Sequence, residues 1–96
     1  MNDLRITLDN NDTFFRTMAN NTCRRILKLL LLFPGLNINA IALQLGQTQA
    51  NVSTQVKHLQ DANLVSIQFK MGKHGVSKTV NVRHRTITID VKERSQ

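Results

Sequence analysis

The sequence predicts one α+β domain, mainly helical, in which several short helices are followed by a β-hairpin. Ninety-six residues are enough for one modest hydrophobic core. Residues 36–64 contain two helical patterns joined by a turn at Gly46, which is the outline of a helix-turn-helix unit. From Leu64 onward apolar and polar residues alternate around a basic, glycine-containing loop, as in a hairpin. This layout predicts a winged helix-turn-helix, with room for extra strands at the two ends.

The N-terminal part of the chain predicts an arm and two helices. Residues 3–8 alternate, which indicates a short strand or extended arm within residues 1–12. The polar residues 9–12 can cap a short helix over 13–19. After a break at residues 20–22, a second helix is expected from about Cys23 to Phe33, and Pro34 ends it because proline cannot continue the hydrogen-bond ladder. The residues expected to face inward on this helix are Ile26, Leu27, Leu30 and Leu31.

The helix-turn-helix pair is expected next. Asn39 can cap a third helix, and Gly46 suits the left-handed residue that closes it. Thr48 is expected to cap the fourth helix. The four helices together are expected to occupy residues 13–63. The expected buried residues are Ile38, Ile41, Ala42 and Leu45 on the third helix and Val52, Val56 and Leu59, at i, i+4 and i+7, on the fourth.

The remaining residues predict strands. Leu64–Lys70 and Thr79–His84 are expected to form a hairpin, the wing, around a turn at Met71–Ser77. A further strand is expected over Thr86–Val91, so that residues 64–91 hold the wing and the C-terminal strand. Residues 92–96 are expected to be a polar tail. All of residues 1–96 are then one domain.

The charge distribution favours a polyanionic partner, double-stranded DNA in particular. The formal net charge is +7. Between Thr13 and Ile89 the sequence has one acidic residue, Asp61, and ten Lys or Arg residues. The excess therefore falls on the segments that a winged helix would turn towards DNA.

The fourth helix is expected to contact DNA through a small, polar outer face. With Val52 at the centre of the buried side, Ser53, Thr54 and Lys57 point away from the core. Backbone N–H groups at the start of a helix favour phosphate, and glutamine amides can pair with adenine. The alternative is an ordinary solvated face. The predicted contact residues are Thr48, Gln49, Ala50, Asn51, Ser53, Thr54, Gln55 and Lys57.

The wing is expected to add basic contacts. Lys70, Lys73, His74 and Lys78 cluster around Gly72 and Gly75, and charges at a hairpin tip can lie along the DNA backbone or enter the minor groove. The alternative is a solvated hairpin whose lysines discourage edge-to-edge pairing.

No residue set predicts catalysis, a cofactor or a bound metal. The sequence lacks a nucleophile with a base and an orienting partner, and its three histidines are isolated in spacing. With one cysteine, no internal disulfide can form. Cys23 lies beside Arg24 and Arg25, which could lower the pKa of its thiol and favour a reactive thiolate. The preferred interpretation is a small half-buried helix residue.

No apolar run approaches the roughly 20 residues that span a bilayer. The longest, Leu29–Phe33, stops at Pro34. We therefore expect a cytoplasmic protein associated with the nucleoid.

Four segments together resemble the ArsR-type winged helix-turn-helix regulators: CRRILKLL, IALQLG, TQANVSTQVKHL and DANLV. The similarity implies the fold, DNA binding, and recognition-helix contacts at Gln49, Ser53, Thr54, Gln55 and Lys57. The family's metal-sensing members carry Cys-x-Cys in the third helix, where this chain has Asn37, Ile38 and Asn39, and others carry Asp and His ligands on a final helix, where it has TITIDV. The resemblance therefore does not extend to metal sensing.

Such regulators are typically two-fold dimers, which suggests a homodimer here. The first helix carries Phe14, Phe15 and Met18, either as a dimer interface or as intrachain core.

The favoured function is a sequence-specific transcriptional regulator, a repressor. The alternative is a centromere-binding or architectural protein that coats plasmid, phage or viral DNA. A protein-interaction module is a third hypothesis, which the scarcity of acidic residues disfavours.

Overall fold

The computed structural model describes residues 3–92, so the two N-terminal residues and most of the expected tail lie outside it. The described part has four helices, a hairpin, a two-residue strand that joins the hairpin's sheet, and two terminal strands. This is the winged helix-turn-helix fold, mainly helical with a β wing, that the sequence predicts. None of these helices is long and apolar enough to cross a membrane. In chain order the elements are β1 (Asp3–Thr7), α1 (Asp12–Ala19), α2 (Asn21–Leu32), β2 (Leu36–Asn37), α3 (Ile38–Leu45), α4 (Gln49–Asp61), β3 (Val65–Gly72), β4 (Gly75–Val82) and β5 (Thr86–Asp90).

The core lies between the helices and one face of the wing. Val52, Val56 and Leu59 of α4 are fully buried, as their spacing predicts. They meet Ile26 and Leu30 of α2 in one apolar cluster. The cluster also contains Ile6, Phe14, Cys23, Ile41, Ala42, Leu64, Val65 and Val80. The outer face of α4 is thereby fixed by the packing of its inner face.

Local signals set the turn of the helix-turn-helix as expected. Gly46 closes α3 in the left-handed conformation, with φ 65° and ψ 34°. Thr48 caps α4, because its side-chain oxygen accepts a hydrogen bond from the backbone N–H of Asn51 at 3.0 Å. Both predictions are confirmed.

Two other helix starts were wrongly predicted. α2 begins at Asn21 rather than Cys23, because Asn20 Oδ1 accepts from the Cys23 N–H at 2.9 Å and so acts as its cap. α3 begins at Ile38, where Asn37 rather than Asn39 is the cap and accepts from the Ala40 N–H at 2.8 Å.

The wing is longer, and its turn shorter, than the sequence predicts. β3 and β4 stay paired through Met71 opposite Val76, until Gly72 lies opposite Gly75. The turn therefore consists of Lys73 and His74, not of residues 71–77. Two features were not predicted: β2, which extends the sheet in the order β2-β4-β3, and the exposure of Leu31, expected to face inward but 46% exposed.

The two terminal strands form a separate sheet. β1 and β5 pair in parallel, with Ile6 opposite Ile89. Polar contacts join their outer sides: Thr86 Oγ1 donates to Asp3 Oδ1 at 2.8 Å, and the guanidinium of Arg5 lies 3.4 Å from Asp90 Oδ1. Ile6 links this sheet to the core of the domain.

Candidate nucleic-acid interface

The outer face of α4 carries four of the predicted contact residues. Ala50, Ser53, Thr54 and Lys57 are all exposed, on the side opposite the buried Val52. The Thr54 hydroxyl donates to the carbonyl of Ala50 at 3.1 Å, so its methyl group and its oxygen lone pairs remain available to a ligand. The side chains on this surface are small or hydrophilic, and none is bulkier than lysine. The helix could therefore approach the floor of a DNA groove closely.

The start of α4 is held against α3. Gln49 Nε2 donates to Asn39 Oδ1 at 2.9 Å, and both side chains are exposed. The contact orients the Gln49 amide at the N-terminus of the helix, where the first backbone N–H groups have no partner within the helix. Together Thr48, Gln49 and these N–H groups form a polar end that can accommodate a phosphate.

Asn51 and Gln55 are not part of the outer face. Their side chains are half-buried and, with Gln47, form a row of hydrogen bonds that we term the amide ladder. Asn51 Nδ2 donates to Gln47 Oε1 at 2.7 Å, and Gln55 Nε2 donates to Asn51 Oδ1 at 3.3 Å. Gln55, which the sequence predicts to pair with adenine, is thus hydrogen-bonded within the domain, and its contact with DNA stays a prediction. The i, i+4 spacing of the three amides was the signal that sequence reasoning missed.

The amide ladder ends on the single thiol. Cys23 Sγ lies 3.4 Å from Gln55 Oε1, to which it donates, and its side chain is fully buried. Burial raises the pKa of the Cys23 thiol. The neighbouring guanidinium groups point elsewhere, since Arg24 donates to the Met18 carbonyl at 2.7 Å and Arg25 to the Leu45 carbonyl at 3.3 Å. The hypothesis of a reactive thiolate is wrong, and Cys23 is a structural residue.

The wing extends its basic residues away from the helices. Residues 68–78 are exposed without interruption, and they include Lys70, Lys73, His74 and Lys78. Lys73 and His74 form the turn, Lys70 lies on one face of the hairpin, and Lys78 lies on the other. The ammonium of Lys78 stands 5.9 Å from the centroid of the Phe69 ring. The structure therefore brings the four basic residues onto one projecting element, on both of its faces and at its tip.

The predicted interface residues of α1 have unequal exposure. Phe14 is buried in the core and packs edge-to-face on Phe15, with ring centroids 5.2 Å apart. Phe15 and Met18 are half-buried against the same core. More apolar surface is exposed at the end of α2, at Leu31, Leu32 and Phe33. An interface role for α1 would therefore rest on Phe15 and Met18.

Metal ligands do not converge in the part of the chain that the structure describes. Within residues 3–92 no group of three His, Cys, Asp or Glu side chains is placed to hold an ion. On the surface of α4, Lys57 and Asp61 form an ion pair, in which Lys57 Nζ lies 3.8 Å from Asp61 Oδ1.

Comparisons with known proteins agree with this architecture. Residues 20–66 match the model of a family described as winged helix-turn-helix DNA-binding. The fold is similar to that of a crystal structure described as a possible transcriptional regulatory protein, fragment 1–100, from Mycobacterium bovis, with a TM-score of 0.66 at 22% identity over 79% of this chain and 76% of that chain. A comparison with curated proteins gives no match. The described residues thus adopt a winged helix-turn-helix fold, and residues 20–66 are similar to a DNA-binding family of that fold.

Proposed function

We propose that the protein is a sequence-specific transcriptional regulator of the ArsR-like kind, which binds duplex DNA as a homodimer and represses by occupying its site. The observation that carries the proposal is the exposed hydrophilic face of α4, with Ser53, Thr54 and Lys57, on a domain whose wing is basic. From residue 62 to residue 89 the sequence has no acidic residue. A polyanion can therefore approach the wing without like-charge repulsion.

Binding would divide between positioning and base contact. Lys73, His74 and Lys78 of the wing and the N–H groups at the start of α4 would bind phosphates and fix the register. Ser53 and Thr54 would contact base edges in the major groove, and the Thr54 methyl would contact thymine. If a dimer makes about six phosphate contacts, the logarithm of affinity should fall with the logarithm of salt concentration with a slope of about −5.

A second copy of the chain would cover the apolar residues that the domain leaves exposed. Leu32 and Phe33, at the end of α2, are 65% and 55% exposed, which is unusual for adjacent large apolar side chains. Phe15 and Met18 of α1 are the other candidates. Two-fold pairing would also double the DNA contacts on a palindromic site.

Selection of duplexes from a random pool, followed by fluorescence anisotropy and footprinting, tests the proposal. We expect a preferred palindromic site, protected as one operator-sized block, and repression of a reporter that carries this site in its promoter. A long cooperative array of protected sites would instead support the architectural function. Failure to bind any duplex at low salt would contradict DNA binding altogether.

A further inference from the structure

One face of the wing remains apolar after the hairpin leaves the body of the domain. Side chains alternate between the two faces of a strand, and paired residues share a face. Val65, Ile67, Val80 and Val82 lie on the face that packs on the helices. The same face continues outward with Phe69, Met71 and Val76, which we term the apolar wing face. These three side chains are 69%, 80% and 60% exposed.

The apolar wing face is turned to the helical side of the sheet. Helices α2, α3 and α4 all contact β3 or β4, and the face they contact holds the buried Val65 and Val80. The opposite face is polar, with Ser66, Gln68 and Lys70 along β3. A duplex bound to the outer side of α4 also lies on the helical side of the sheet. The wing therefore presents its apolar face, and not its polar face, to such a duplex.

The charges around this face identify the kind of partner. Lys73 and His74 form the tip next to it, and Lys78 lies within it, across from Phe69. No acidic residue occurs in the sequence from 62 to 89. A second wing would carry the same positive charges and would be repelled, whereas the minor groove of DNA combines a negative potential with apolar sugar walls.

We propose that the apolar wing face enters the minor groove and that Met71 and Val76 wedge against a base step and bend the duplex. This inference rests on the proposed DNA-binding function and adds to it a means of selecting DNA by deformability. The two side chains lie directly opposite each other, one register before Gly72 and Gly75 close the hairpin, so they form one apolar point near its tip. The minor groove is about 6 Å wide, which admits side chains but not the whole ribbon.

The chemistry of the surrounding residues supports such a wedge. The ammonium of Lys78, 5.9 Å from the Phe69 ring centroid, is held beside the apolar side chains and can bind the phosphate at the groove edge. Apolar side chains that open a base step bend DNA by about 20–90°. Pyrimidine–purine steps such as TA open most easily, so the preferred site is expected to hold one where the wing contacts it.

Bending is measured by energy transfer between dyes at the two ends of the preferred duplex. We compare the wild type with the double variant Met71→Ala/Val76→Ala and with a control on the polar face, Gln68→Ala/Ser77→Ala. The exposed positions leave the folding of both variants unchanged, which thermal unfolding checks. The wedge variant should lose most of the bend and about tenfold in affinity, with an unchanged salt slope because no charge is removed. The control should bend DNA as the wild type does.

Each other outcome overturns the inference. Equal bending by the wild type and the wedge variant refutes the wedge and leaves DNA binding intact. A wedge variant that changes the oligomeric state instead of the bend assigns the apolar wing face to a protein contact. A wild type that binds no duplex refutes the proposed function and this inference with it.

Discussion

The buried thiol of Cys23 donates a hydrogen bond to Oε1 of Gln55 at 3.4 Å, across the interface between α2 and α4. This contact extends the amide ladder of α4 into the interior. The polar side of the helix is therefore divided in two. One part, with Gln55 and Asn51, binds the helix to its own domain, and the other, with Ser53 and Thr54, is left to solvent.

The first prediction concerns the accessibility of the thiol. Cys23 should react with a disulfide reagent at least about a hundredfold more slowly in the native protein than in denaturant, because attack requires local opening and burial raises the pKa of the thiol. Absorbance of the released thiolate measures both rates. Rapid native labelling at neutral pH would contradict the buried position.

The second prediction separates the two parts of the polar side of α4. Gln55→Ala should lower the free energy of unfolding by about 1 kcal/mol, since it removes the side-chain acceptor of the Cys23 thiol and the donor to Asn51 Oδ1. Ser53→Ala, at an exposed position, should change stability by less than about 0.5 kcal/mol. Urea denaturation measures both. Equal stability of the two variants would show that the amide ladder contributes nothing.

The third prediction concerns the turn between α3 and α4. Gly46 has φ 65°, and a Cβ placed there would meet no atom within 4 Å, so the cost of Gly46→Ala is backbone strain alone. We expect a loss of about 1–2 kcal/mol. Gly72→Ala is the control, because its φ is not left-handed and its Cβ would lie at an ordinary 3.6 Å from the Gly75 carbonyl oxygen. Thermal unfolding should distinguish the two.

The fourth prediction distinguishes positioning from base contact. Lys73→Ala should weaken binding to all duplexes alike and reduce the magnitude of the salt slope by about 1 for each wing in contact, because it removes a phosphate contact. Ser53→Ala should weaken the preferred duplex and leave the slope unchanged. Anisotropy titrations at several salt concentrations provide both quantities. An unchanged slope in the Lys73 variant would remove that residue from the interface.

The fifth prediction locates the dimer interface. Leu32→Asp should convert the proposed dimer to a monomer at tens of micromolar, because it buries a carboxylate against the partner. Leu43→Asp is the matched control, since Leu43 is 76% exposed on α3 and is not among the residues proposed for the interface. Light scattering after gel filtration measures the mass of both. A monomeric wild type would contradict the dimer, and a dimeric Leu32 variant would assign the interface to another surface.

Local patterns were sufficient to predict the helix-turn-helix. Val52, Val56 and Leu59 are spaced for one face, and Thr48 and Gly46 act on backbone groups within a few residues of themselves. Where several residues could perform the same local task, the prediction erred by one or two positions. Asn37 and Asn39 are equally able to cap a helix, and Asn37 is the residue that caps α3.

Non-local partners explain the larger differences. The hydrogen bond of Gln55 with Cys23 is not predicted, because nothing in the sequence neighbourhood of Gln55 indicates Cys23, which is 32 residues away. The wing turn was predicted too long because Gly72 and Gly75 suggest a loop, whereas the pairing of Met71 with Val76 continues the strands. A strand pattern over residues 3–8 gave no information on which strand would pair with it.

The pairing of β1 with β5 has a consequence for the order in which the molecule assembles. Asp3 and Thr86 meet although 83 positions separate them, so their contact closes almost the whole chain into a ring. Such closure has an entropic cost, which only the contacts of two strands offset. We therefore expect this sheet to form after the helices and to be the first part of the domain to open. Opening would uncover Ile6 and the core surface beneath it while α4 keeps its cap and its inner packing. We therefore expect β1 and β5 to detach from the domain without disturbing the helix proposed to contact DNA.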